Sequence, residues 1–118
     1  MHAYLLLLHE KPGSFAAAGP AEMAEIVQRY QQWAANLAQQ GQLSGGEKLT
    51  DSGGRQLHWR AGQTLATDGP YAEAHDVIGG YFVIQAADDA AAEALAASCP
   101  HLGPDRWIEI RRIEPIPA

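Results

Sequence analysis

The sequence predicts an α+β protein, with one antiparallel sheet, two helices on a single face of it, and an added β-hairpin. Three observations predict this. Short β-rich apolar runs stand at 3–8, 81–85 and 107–113. Two segments with helical periodicity stand at 20–40 and 90–98. Each helical segment lies between two strand segments, so each can cross one face of a shared sheet.

Ala3–Leu8 is apolar on both faces, as expected of a central strand or of one whose second face meets a partner. His9-Glu10-Lys11-Pro12-Gly13 ends it as a turn, and Ser14–Gly19 is a loop of small residues. Gly19-Pro20-Ala21-Glu22 opens the first helix: glycine at the N-cap, proline at the first helical position, and an acid at the positive end of the dipole. Met23, Ile26, Val27, Tyr30, Ala34 and Leu37 form its apolar stripe, and Trp33 is read as core. Gly41 stops the helix, with Leu43 expected to supply the accompanying hydrophobic contact.

Leu43–Leu49 reads as a strand weakened or bulged at Gly45-Gly46. After the Asp51–Gly54 turn, Gln56–Arg60 and Thr64–Thr67 form a hairpin, with Leu57 and Trp59 on one face and His58 and Arg60 on the other. Asp68-Gly69-Pro70 breaks it, and a loop runs to Gly79-Gly80. Tyr81–Gln85 is a strand, Ala90–Ser98 a helix capped by Asp88 or Asp89, and Trp107–Ile113 the last strand. Two strand–helix–strand units in this order give a split-βαβ, ferredoxin-like sheet. Its uncovered face carries large apolar residues, so a two-fold homodimer, sheet against sheet, is expected.

The chain has 118 residues, and 47% are apolar, which fits one domain spanning 1–118. Fourteen acids against eight bases leave a net charge of -6 and no basic cluster, so no nucleic-acid partner is expected. The longest apolar run is far below the ~20 residues that span a bilayer, and no positive region precedes it, so neither membrane insertion nor secretion is expected. A lone cysteine, Cys99, cannot form an internal disulfide, which places the chain by default in the reducing cytoplasm.

Several residues could carry chemistry. Asp68, at a strand end, reads either as a general base or as an acceptor bracing the turn. His75, one residue beyond Glu73, shares a side with it in an extended segment, where a carboxylate orients an imidazole for acid–base work; a solvated loop is the alternative. Tyr71 and Tyr81, with Trp59, Phe82 and Trp107, could line a pocket for a flat ligand or could be core and interface. His9, His58, His75, Asp68 and Glu47 are the only collection that could gather around a metal. Their spacing matches no metal motif, and none is expected. No glycine pair has a nucleotide-binding context, and no organic cofactor is expected.

Thr67-Asp68-Gly69-Pro70-Tyr71-Ala72-Glu73, followed by Gly79-Gly80-Tyr81-Phe82, resembles the YCII-related, or DGPF-domain, family, with Tyr71 in place of that motif's Phe. Tyr4–Leu8, Gly41-Gln42-Leu43, Gly45–Leu49 and Ile108–Arg111 also match, so the resemblance covers nearly the whole chain. It implies a dimeric α+β barrel. Some YCII-type relatives use a His–Asp pair, and one branch is a dehydrochlorinase of a hydroxylated chloroaromatic. By the resemblance that Asp falls at Asp68. The relatives' His lies on the first helix, which here has none; Tyr30 stands near its place. Two functions are therefore expected. One is acid–base, lyase-like chemistry on a small molecule near Asp68-Gly69-Pro70, with Asp68 and His75 catalytic and Tyr71, Glu73, Tyr81, His9 and Tyr30 holding substrate. The other is a non-catalytic dimer that binds a metabolite or a partner, with the resemblance pointing to sigma-factor regulation.

Overall fold

The computed structural model describes residues 1–51, 53–69 and 76–117. Tyr71, Glu73 and His75, and with them most of the Asp68–Glu73 motif, lie outside the described residues.

The elements run β1 (His2–Glu10), α1 (Pro20–Gln39), β2 (Leu43–Lys48), β3 (Arg55–Arg60), β4 (Gln63–Asp68), β5 (Val77–Ala86), α2 (Asp89–Ala97) and β6 (Arg106–Arg112). The main sheet has the order β2-β5-β1-β6, antiparallel throughout, and β3-β4 form a separate two-stranded ribbon. This is the ferredoxin-like arrangement the alternation of elements predicts, with the hairpin inserted between β2 and β5. β1 lies inside the sheet, which explains why both of its faces are apolar. Tyr4, Leu6 and Leu8 turn toward the helices and are buried, while Leu5 and Leu7 turn to the open face and are half-buried.

α1 starts at Pro20, with Gly19 as an extended N-cap, and Glu22 lies in its first turn. At its end Gly41 adopts φ +70°, and its N–H donates to the Ala38 carbonyl (3.1 Å) while the Gln42 N–H donates to that of Leu37 (2.9 Å). That pair of bonds is a Schellman closure, which needs a residue free to take positive φ. The residue after Gly41, whose N–H closes the motif, is the polar Gln42 and not the expected Leu43; Leu43 packs on the core instead. α2 is capped by Asp88, whose carboxylate accepts from the Ala91 N–H at 2.8 Å.

Tyr4, Leu6, Ile84 and Ala86 of the sheet pack with Trp33 and Leu37 of α1 and Ala92 and Ala96 of α2 to make the core. Polar ends are satisfied inside it. The Tyr4 hydroxyl donates to Asp89 (2.8 Å), and the Trp33 ring N–H donates to the Ser98 hydroxyl (2.9 Å).

Two irregularities shape one end of the sheet. The β2–β5 register shifts between Leu43 and Gly45, at the predicted weak point. The β1–β5 register shifts between Leu8, opposite Gly80, and His9, opposite Ile78, which leaves Gly79 as an extra residue. At that end α1 and the sheet part company.

Candidate functional site

The gap is a cavity of about 360 Å³, large enough for a compact organic molecule. Its roof is the first half of the α1 stripe: Met23, Ile26, Val27, Tyr30 and Ala34. Its floor is Leu8, Gly46, Gly79, Gly80 and Phe82, and the Phe82 ring and the Glu10 side chain stand where side chains on Gly46 and Gly79 would begin. Glu10, Lys48 and Phe15 stand where the cavity meets a second, wider groove, and His101 completes the wall beside Tyr30.

Tyr30 and His101 are hydrogen-bonded, Oη to Nδ1 at 2.8 Å. The other ring nitrogen of His101 lies 2.7 Å from the His9 carbonyl oxygen. A carbonyl only accepts, so Nε2 must carry the proton; Nδ1 is then bare and accepts from the Tyr30 hydroxyl. His101 is 1% exposed, and burial holds its pKa below the ordinary value, which keeps the ring neutral with Nδ1 free to accept a hydrogen bond. Burial also pushes the Tyr30 hydroxyl up to about 12, so it remains a donor. Arg106 fixes the turn that carries His101, its Nε donating to the His101 carbonyl at 3.0 Å while its guanidinium lies over the Phe15 ring.

Glu10 brings a carboxylate to the rim. The Ser14 hydroxyl donates to it at 3.2 Å, and its side chain occupies the space above Gly79. On the opposite face of the sheet the His9 ring lies flat on Trp107, with centroids 3.8 Å apart and planes 4° apart. Its Nδ1 is bonded to Asp76 and its Nε2 to Glu109 at 3.0 Å. The bond from His9 is the main reason the Glu109 carboxyl lies below its usual range. His9 therefore joins the two clusters, its carbonyl bonded to His101 and its ring to Asp76 and Glu109.

The residues singled out in the sequence fall in different places. Tyr30 lines the cavity. His9 supports the cavity wall through its carbonyl, and the residue borders the wider groove. Tyr81 is on the open sheet face, opposite Leu7 and Glu47. Asp68 ends β4 with its carboxylate 83% exposed and bonded to Arg55 across the hairpin, and it is not among the residues lining the cavity. Glu73, His75 and Tyr71 lie outside the described residues. His101, Glu10 and Asp76 drew no attention in the sequence. His101 is 71 positions from Tyr30, and Asp76 is 67 from His9, so no local spacing links either pair. Among the described residues no three metal-ligating side chains gather, and no helix is long and apolar enough to cross a membrane.

A split-βαβ sheet with both helices on one face, and a cavity under the first of them, defines a ferredoxin-like α+β protein. Within that class, residues 2–117 match the YCII-related domain, and the chain belongs to that family. No curated protein matches it.

Proposed function

We propose that this protein binds a compact, mostly apolar molecule with a hydroxyl or enol group in the cavity beneath α1, and moves a proton to or from it through Tyr30 and His101. The observation that carries this is the Tyr30–His101 bond, with its tautomer set by the His9 carbonyl. While Tyr30 donates to Nδ1, its oxygen keeps lone pairs to accept from a ligand hydroxyl. Proton transfer then runs ligand to Tyr30 and Tyr30 to His101 in one concerted motion, since a phenol held near 12 is a poor resting anion. Glu10 at the rim supplies a carboxylate for positioning or for exchanging a proton with the ligand carbon. Acid–base or elimination chemistry of this kind needs no organic cofactor. The mostly apolar lining selects a ring or short branched chain over a charged metabolite.

The same proposal includes a homodimer joined through the open sheet face, where Leu5, Leu7, Tyr81 and Val83 lie together, and a cytoplasmic setting. The lone thiol, Cys99, is buried, and burial pushes it up to about 11, which makes it inert rather than catalytic.

The test is a thermal-shift screen of hydroxylated aromatics and cyclic enols. NMR then follows solvent deuterium exchange at each hit's acidic carbon. Binding with exchange that disappears in Tyr30→Phe is the expected result. Binding without exchange assigns a ligand-binding role alone, and no hit in which Met23 or Ile26 signals move would overturn the cavity as the site.

A further inference from the structure

The hairpin is unlike the rest of the molecule. β3 and β4 pair with each other and belong to no other sheet, and neither packs extensively on another element. They join through Ala61 and Gly62, both at positive φ, in a two-residue turn of the primed kind. An isolated two-stranded ribbon is marginal in water and needs a surface to lie on. One side of this one is apolar, with Leu57 opposite Ala66 and Trp59 opposite Thr64. Trp59 is 74% exposed and Leu57 70%. The projecting ribbon also stretches the molecule: its radius of gyration is 16.2 Å, against about 13.5 Å for a compact domain of this length.

The chain itself presents a complementary surface. The open sheet face carries Leu5, Leu7, Tyr81 and Val83 with the half-exposed Trp107, edged by Glu47 and Glu109. Residues 55–68 hold two arginines and one aspartate in a chain of net charge -6, so a positive arm belongs to an acidic body. Among the described residues Arg60, next to the arm's tip, and Glu47, on the sheet face, are in no ion pair.

Area decides how the surfaces combine. A stable interface needs about 800 Å² from each partner. Trp59 supplies about 150–250 Å², well short of that by itself. The sheet face adds Leu5, Leu7, Tyr81, Val83 and Trp107 to it, and a two-fold axis lets each copy give one arm and receive the other.

We propose that the β3–β4 hairpin is a dimerisation arm whose Leu57–Trp59 side lies along the open sheet face of a second copy of this chain, with Arg60 meeting that copy's acidic edge. This rests on the homodimer reading above and adds the surface that makes the dimer hold. Gly53 and Gly54, consecutive residues at positive φ just before β3, give the arm a pivot at its base.

The experiment uses the full chain. Sedimentation equilibrium over a concentration series compares the wild type with Leu57→Ser/Trp59→Ser, and circular dichroism confirms that both are folded. In parallel, a photo-reactive benzoylphenylalanine replaces Trp59, and the adducts are mapped by mass spectrometry. The expected result is a dimer whose dissociation constant rises about tenfold or more in the arm variant, with adducts on β1, β5 or β6 of the other copy. A dimer unchanged by the arm variant, or adducts elsewhere, overturns the arm and leaves the sheet dimer standing. A monomeric wild type overturns both.

Discussion

Tyr30 and His101 meet at 2.8 Å across the wall of the α1 cavity, joining a helix to a turn 71 residues away. Each has a reason to be held there. The His101 Nε2 proton is committed to the His9 carbonyl, so Nδ1 has one use, which is to accept. Tyr30→Phe keeps the ring and removes the donor, leaving a buried nitrogen unpaired. The expected cost is about 1–2 kcal/mol in stability, read from urea unfolding, with ligand binding retained and proton exchange abolished. If exchange persists at the wild-type rate in a folded Tyr30→Phe, the proton does not travel through this pair.

The same burial makes stability depend on pH in a predictable window. The folded chain holds the His101 pKa below its ordinary 6.5, chiefly by desolvation and also through the positive charge of Arg106. Unfolding frees the ring, so below about 6.5 the unfolded chain binds more protons than the folded one. Stability therefore falls as pH drops from 6.5 toward the folded-state pKa. Glu109 slopes the same way in a lower window, because its folded pKa lies beneath 4.5 and its contribution is lost only as acid overtakes that value. His101→Gln, whose amide can still donate to the His9 carbonyl, should flatten the upper window and leave the lower one. Melting temperatures measured from pH 7.5 down to 3.5 would separate the two. An unchanged upper slope in the variant means that another group carries it.

How much of this the sequence could reveal depends on range. The α1 stripe, its proline start and its Gly41 stop are local patterns, and the helix appears within a residue of where they place it. Strand order follows from alternation and the chirality of crossovers, so the sheet was legible too. β1 runs longer than its apolar core because His9 and Glu10 still pair with β6, through Trp107 and Arg106, and pairing does not require apolar side chains. The site was legible only in part. Tyr30 could be singled out, but nothing near His101 in the sequence marks it, since its meaning comes from a tyrosine and a carbonyl far along the chain. The stripe itself was ambiguous: Met23, Ile26 and Val27 have the spacing of core residues, and only the gap between them and the glycines of the sheet shows that they face a cavity.

Those glycines give a paired prediction. A Cβ on Gly46 would lie 2.8 Å from the Tyr81 carbonyl oxygen and overlap the Phe82 ring, and neither backbone nor packed ring can yield. A Cβ on Gly79 would overlap only the end of the Glu10 side chain, which can swing away. Gly46→Ala should therefore destabilise by about 1–3 kcal/mol. Gly79→Ala should change stability by roughly 0.5 kcal/mol or less while displacing Glu10 from the cavity rim and weakening the binding of any ligand found there. Denaturant midpoints and ligand titrations on both variants check this, and a Gly79→Ala that binds as the wild type does would remove Glu10 from the site.

Two aspartates make the last contrast. Asp88 accepts the Ala91 N–H at 2.8 Å and starts α2, a helix of nine residues with few other means of fixing its first turn. Asp68 also has a partner, Arg55, but both side chains are mostly in water. A cap removed from a short helix costs about 0.5–2 kcal/mol, whereas an exposed ion pair contributes about 0–1 kcal/mol because water and salt screen it. Asp88→Ala should lower the melting temperature by several degrees. Asp68→Asn should leave it nearly unchanged, and the Ala92 and Ala96 amides should exchange hydrogen faster only in the first variant. A larger loss from Asp68→Asn would show that its carboxylate holds more than the hairpin arginine.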